Sequence, residues 1–113
     1  MPMDFDEYEK LAARTAIFND SQKLYRLFDL GLGIAGESGE LAEKLKKAIR
    51  DDNGEINGER RDAIIKELGD VLWYCSQLSR ALNVPFSEVA QRNIDKLADR
   101  MNRLAINGDG DNR

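Results

Sequence analysis

Two long segments with apolar residues at helical spacing, about 21–50 and about 59–82, constrain the fold most strongly. Residues three or four apart share one face of an α-helix, so each segment predicts a helix with an apolar stripe. The stripes are Leu24, Leu27, Leu30, Ile34, Leu41, Leu45, Ala48 and Ile49, and then Ile64, Leu68, Val71, Leu72, Cys75, Leu78 and Leu82.

A shorter helix is predicted over about Asp4–Phe18 and a further one over about Ser87–Leu104, and no segment alternates as a strand would. The chain of 113 residues fits one domain, with a flexible polar tail over about 105–113. The sequence therefore predicts an all-α, four-helix-type bundle with a short N-terminal helix.

Four glycines, Gly31, Gly33, Gly36 and Gly39, interrupt the second segment, which Asp20 or Ser21 can cap. Each glycine costs about 1 kcal/mol relative to alanine inside a helix. The segment is either two helices broken near residues 31–36, or one helix whose glycines allow a second helix or a ligand to approach closely. A polar loop over residues 51–58 follows, without the spacing of a calcium-binding EF-hand.

Acidic residues interrupt the apolar stripes of both long helices at matched positions. Glu37 lies about 40° from Leu41 on the helical wheel, and Glu40 about 100° from it. Glu67 and Asp70 lie at the same offsets from Val71. Burying an unpaired carboxylate costs several kcal/mol, so two facing acidic pairs need a common source of positive charge.

A divalent cation would supply that charge, and the alternative is ion pairing between the helices, for example to Lys44, Lys47 or Lys66. The chain contains no histidine. A metal site would therefore use oxygen ligands, which favours Mg²⁺, Mn²⁺ or Ca²⁺. The same absence excludes a Ser-His catalytic triad and histidine-ligated zinc.

Other side chains near these acids each have two interpretations. Lys44 could meet a phosphate or pair with Glu40, and Tyr74 could stack on a base or fill the core. Trp73 lies about 160° from Val71, which predicts an exposed side chain at an oligomer interface. Asn93 and Lys96 share one face of the last helix, at the surface or in a site.

The composition limits the partners and the compartment. A net charge of −4 argues against nonspecific binding to nucleic acid or to an anionic membrane. The single cysteine excludes an intrachain disulfide. No apolar run is long enough to span a bilayer, and the acidic first residues are unlike a signal peptide. A cytoplasmic protein is the expectation.

The segments GLGIAGESGELAE at 31–43, ELGDVLWY at 67–74 and NIDKL at 93–97 resemble those of the MazG-type all-α nucleoside triphosphate pyrophosphohydrolases. The closing residues 108–113 are similar to those of the small single-domain members. The resemblance implies a helical bundle that forms a homodimer or homotetramer. It also implies Mg²⁺-dependent hydrolysis of a nucleoside triphosphate to the monophosphate and pyrophosphate. Mn²⁺ is expected to substitute for Mg²⁺, and the expected role is house-cleaning of the nucleotide pool.

The resemblance also implies roles for single residues. It implies Glu37, Glu40, Glu67 and Asp70 as metal ligands, Glu43 as a further candidate, Asn93 and Lys96 as nucleotide contacts and Tyr74 near the base. Without histidine, a carboxylate must serve as the base, and Glu40 and Glu67 are the catalytic candidates. Lys44, Lys47, Lys96 and Arg113 are candidates to hold pyrophosphate. The alternatives are a non-catalytic helical oligomerisation or adaptor module, and a phosphoribosyl-ATP pyrophosphohydrolase-like enzyme.

Overall fold

The computed structural model describes residues 2–17 and 25–107. These residues form four α-helices and no strand: α1 over Phe5–Ala12, α2 over Arg26–Asp52, α3 over Gly58–Ala81 and α4 over Phe86–Asn107. The all-α prediction is confirmed. None of the described helices combines the length and the apolar composition that a membrane span requires.

Helices α2 and α3 form an antiparallel hairpin, which is the largest packing unit. Helix α2 is capped at Asn53, whose backbone adopts the left-handed conformation, and the N–H of Gly54 donates to the carbonyl of Ala48 at 2.9 Å. Such a left-handed cap satisfies carbonyls that the helix end leaves free. The predicted loop therefore lies where expected, between Asp52 and Gly58.

The second segment is a single helix from Arg26 onward, so the prediction of one helix is the correct alternative. The ring of Tyr74 on α3 lies directly against Gly33, where an added methyl group would overlap it. Gly31, Gly36 and Gly39 have open space around them within the described residues. Only Gly33 thus provides the predicted close approach. The predicted cap at Asp20 or Ser21 lies outside the described residues.

Helix α1 is shorter than predicted, because a 3₁₀ turn over Ala13–Thr15 follows it and the chain then leaves the helix at Ala16. The indole N–H of Trp73 on α3 donates to the carbonyl of Ala12 at 3.2 Å and to the hydroxyl of Thr15 at 2.9 Å. The predicted exposure of Trp73 is therefore wrong, because its side chain is half-buried, and its role at an oligomer interface stays a prediction. Helix α1 covers the face of α3 that carries Trp73. The contacting residues are about sixty positions apart in sequence, so a helical wheel of α3 cannot predict this contact.

Helix α4 is attached at its beginning to α1. Phe86 is buried, with its ring edge-on to Phe5 at a centroid distance of 5.1 Å. The carboxylate of Asp6 accepts hydrogen bonds from the N–H of Ser87 at 2.9 Å and from its hydroxyl at 2.6 Å. An acid from another helix thus caps α4 and complements its dipole. The helix continues to Asn107, and the remainder of the predicted tail, 108–113, lies outside the described residues.

The core within one chain is small. Among the described residues, Leu30, Ala48 and Phe86 are the buried apolar side chains, and α3 additionally buries Ser76, Gln77 and Ser79. Large apolar side chains remain exposed along three helices: Leu27, Phe28, Leu32, Leu45 and Ile49 on α2, Ile65 and Leu68 on α3, and Val89, Ile94, Leu97, Met101 and Leu104 on α4.

Candidate metal and nucleotide site

The acidic cluster lies where the middle of α2 faces the middle of α3. Glu37 projects from α2, and Glu67 and Asp70 project from α3 one turn apart. Carboxylate oxygens of these three residues all lie within 4.8 Å of one another. The antiparallel packing of the hairpin therefore brings together acids that are about thirty residues apart in sequence.

The two glutamates are half-buried and Asp70 is exposed, as their offsets from the apolar stripes predict. Burial raises the pKa of the Glu37 carboxyl, and the charges of Asp70 and Glu67, hydrogen bonding to Glu67 and the charge of Glu40 raise it further. The site thus disfavours ionisation of its own Glu37 in the absence of a compensating positive charge.

No lysine or arginine in the described part of the chain forms an ion pair with these three acids. The alternative in which Lys44, Lys47 or Lys66 neutralises them therefore has no support from the structure. The donors are all carboxylate oxygens, which suit a hard divalent cation. Two oxygen ligands of one Mg²⁺ lie about 3–4 Å apart, and the three carboxylates, within 4.8 Å of one another, are close enough to share one ion.

Glu40 lies one turn along α2 from Glu37, with an exposed side chain, and does not belong to the group of three. It is close enough for its charge to raise the pKa of Glu37. Its position at the edge of the cluster leaves its carboxylate accessible to solvent. Glu43, the further candidate, is also exposed.

The predicted substrate-binding residues divide into two groups. Lys44 and Lys47 are half-buried on α2 and line a cleft at the loop end of the hairpin. Asn93 and Lys96 are exposed on α4, and no hydrogen bond or ion pair in the described structure joins them to the acids. Helix α4 packs on α1 and α3 rather than on α2, so the structure does not place Asn93 and Lys96 beside Lys44 and Lys47 within one chain.

Tyr74 is half-buried, with one side of its ring against Gly33 and its edge against Trp73 at a centroid distance of 5.0 Å. This packing fits the alternative in which Tyr74 fills the core. Its predicted position near the base stays a prediction. Arg113 lies outside the described residues.

Two residues near the site were not predicted from the sequence. The phenol of Tyr8 on α1 has a raised pKa, because of burial and then the charges of Asp70 and Cys75. Arg60 on α3 lines the cleft that contains the two lysines. No local pattern indicates Tyr8, because α1 reaches α3 only through tertiary packing. Arg60 precedes Glu67 by seven residues, a helical spacing that could have indicated it.

Comparison with known proteins identifies a family whose domain includes both acidic segments. The MazG nucleotide pyrophosphohydrolase domain matches residues 29–105, which include both acidic segments. The chain belongs to the MazG nucleotide pyrophosphohydrolase domain family. It is also 45% identical to the Gene 37 protein of Mycobacterium phage L5, over 98% of this chain and all of that protein. No solved structure gives a significant match. The predicted family resemblance is confirmed.

Proposed function

We propose that this MazG-family protein hydrolyses nucleoside triphosphates to the monophosphate and pyrophosphate, using a divalent metal, Mg²⁺ or Mn²⁺. The observation that carries the proposal is the carboxylate cluster of Glu37, Glu67 and Asp70, which has no basic side chain paired with it in the described residues. Membership of a nucleotide pyrophosphohydrolase family supports the reaction class. House-cleaning of the nucleotide pool is the proposed role.

Glu37, Glu67 and Asp70 would hold the metal, with Glu40 completing the set. Mg²⁺ bound there would neutralise charge on the phosphate oxygens and lower the pKa of a water molecule. Glu40 is the proposed general base, because its carboxylate is exposed beside the cluster and the chain has no histidine. Glu67 is proposed to act in catalysis by fixing the arrangement of the acids, since it contacts Glu37 across the hairpin.

Lys44 and Lys47 are proposed to bind phosphate groups, because both are half-buried and neither has an ion-pair partner in the described structure. Tyr74, Asn93 and Lys96 are proposed nucleotide contacts on the basis of the family resemblance. The same reaction on phosphoribosyl-ATP is included among the substrates to be tested.

We also propose that the protein works as a homodimer or homotetramer. The small core and the exposed apolar residues on α2, α3 and α4 support this assembly. Monomeric proteins rarely expose large apolar patches, and many large apolar side chains of this chain are exposed on three helices. Size-exclusion chromatography with light scattering tests this, and a monomeric mass at micromolar concentration would refute it.

The function is tested by incubating the protein and Mg²⁺ with a panel of ribo- and deoxyribonucleoside triphosphates and phosphoribosyl-ATP, while measuring pyrophosphate. Glu67→Gln should reduce release at least about 100-fold, because it removes a ligand charge and disturbs the other acids. Asp62→Asn is the matched control, an exposed acid on the same helix outside the cluster. Release from no substrate, or undiminished release by Glu67→Gln, would refute the proposal.

A melting experiment separates catalysis from a helical adaptor module. Mg²⁺ should raise the Tm of the wild-type protein, because it binds the folded cluster and not the unfolded chain. Glu67→Gln should lose this rise and Asp62→Asn should keep it. An adaptor in which the acids serve only structure would show the same Tm with and without Mg²⁺.

A further inference from the structure

Beyond the acidic cluster, toward the loop that joins α2 to α3, the hairpin forms a cleft of about 780 Å³. Three cationic side chains line it: Lys44 and Lys47 from α2 and Arg60 from α3. Three acids also line it, Asp52, Glu55 and Glu59. The cleft is therefore neutral overall, and any preference for an anion must come from individual donor groups rather than from a net positive field.

The cationic residues are in register with the acidic cluster. Lys44 follows Glu37 by seven residues on α2, and Arg60 precedes Glu67 by seven residues on α3. Seven residues are nearly two helical turns, about 10.5 Å along the axis, and return to the same face. Because the helices are antiparallel, both cations lie on the loop side of the acids. On this face of the hairpin, the acidic cluster is therefore followed by basic side chains toward the α2–α3 loop.

An ion pair with Asp52 fixes the orientation of the Arg60 side chain. Its Nε donates to a carboxylate oxygen of Asp52 at 2.9 Å, and its side chain is only 20% exposed. Its two terminal nitrogens donate no hydrogen bond within the described residues. A guanidinium oriented through Nε keeps free the pair of N–H groups that fits two phosphate oxygens.

We propose that Arg60, together with Lys44 and Lys47, binds the two distal phosphates of the nucleotide, which leave as pyrophosphate. The identity of this ligand rests on the proposed function, in which the metal-binding acids lie beside the bond that breaks. Asp52 is then a positioning residue, because it orients Arg60 and neutralises part of its charge in the free protein. The nucleotide therefore lies along the hairpin with its phosphate end toward the α2–α3 loop.

The test is calorimetric titration of the full-length protein with inorganic pyrophosphate in the presence of Mg²⁺. Arg60→Gln should weaken binding about tenfold, because it removes charge-assisted hydrogen bonds. Arg61→Gln is the matched control, since Arg61 is the adjacent exposed arginine outside the cleft, and its affinity should change by less than about twofold. Both variants should keep the rise in Tm that Mg²⁺ alone produces.

Asp52→Asn separates binding from structure. It removes the carboxylate that orients Arg60, which weakens binding, but it also removes a negative charge from the cleft, which favours an anion. Because these two effects oppose each other, the variant should bind pyrophosphate within about threefold of the wild-type protein. The inference is overturned if Arg60→Gln binds as tightly as Arg61→Gln, or if Asp52→Asn loses as much affinity as Arg60→Gln. If Arg60→Gln does not fold, Lys44→Gln takes its place, and an unchanged affinity in that variant overturns the inference.

Failure of this inference is distinguishable from failure of the proposed function. A wild-type protein that cleaves triphosphates but whose pyrophosphate affinity does not depend on Arg60 keeps the function and loses the site. A protein that binds pyrophosphate through Arg60 but cleaves no triphosphate keeps the site and loses the function.

Discussion

Replacing Gly33 by alanine tests how closely α2 and α3 approach beside the candidate site. A methyl group at Gly33 would overlap the ring of Tyr74. The same ring packs against Trp73 at a centroid distance of 5.0 Å, so moving it away would disturb that contact. At Gly31, two residues earlier in the same helix, a methyl group would meet no atom of the described residues within 4 Å. The two glycines therefore form a matched pair for the same substitution.

The expected magnitude follows from two terms. Alanine gains about 1 kcal/mol over glycine in a helix interior, and this gain applies to both sites. Overlap in a packed contact costs about 1–3 kcal/mol and applies only at Gly33. Gly31→Ala should thus be stabilised by about 1 kcal/mol, and Gly33→Ala should be less stable than Gly31→Ala by about 1–3 kcal/mol. For a domain of this length the difference in Tm is about 4–12 °C.

Thermal unfolding followed by circular dichroism measures both variants under one set of conditions. The same two substitutions are then made in a Tyr74→Ala variant, which lacks the ring. In that variant Gly33→Ala should be as stabilising as Gly31→Ala. A Gly33→Ala variant that melts at or above Gly31→Ala while Tyr74 is present would show that the ring leaves room for a methyl group. Persistence of the difference without the ring would show that another contact causes it.

Two further predictions concern the attachment of α1. Hydrogen bonds from the hydroxyl and the N–H of Ser87 lower the pKa of Asp6 below its ordinary value of 3.8. The stabilisation that Asp6 gives the folded state is therefore full above pH 3.8 and is lost as the pH falls through the lowered pKa. Asp6→Asn should therefore melt below the wild-type protein at pH 7, with the difference shrinking below about pH 3.8; a pH-independent difference in melting scans would contradict this. Trp73→Phe removes the indole donor to Ala12 and Thr15 and should cost at least about 1 kcal/mol in urea unfolding, with the oligomer mass unchanged. A changed mass with unchanged stability would instead support an interface role for Trp73.

Sequence patterns predicted the features that depend on local order. The helical spacing of apolar residues gave the all-α class, and the polar run around Asn53 and Gly54 gave the turn between the long helices. The acidic offsets predicted that Glu37 and Glu67 would point toward the facing helix, and the structure brings them together with Asp70. The wheel succeeded here because α2 and α3 are regular helices whose side-chain directions follow from residue number.

Sequence patterns were less informative for contacts made by α1. Trp73 lies opposite the apolar stripe of its helix, yet α1 and its 3₁₀ turn cover that face. Helix α1 also ends earlier than its apolar spacing predicts. These features depend on where a separate short helix packs, which the periodicity of α3 alone does not specify.

The class of the fold, the two acidic segments and the restriction to oxygen ligands follow from the amino-acid sequence alone, because helix periodicity, spacing and residue types are local properties. Which of those acids meet depends on the antiparallel register of α2 against α3, which is a property of the folded chain. It places Glu37 with Glu67 and Asp70 and leaves Glu40 at the edge, unpaired with any lysine in the described residues. The same register places Arg60 beside Lys44 and Lys47, in the cleft next to the cluster.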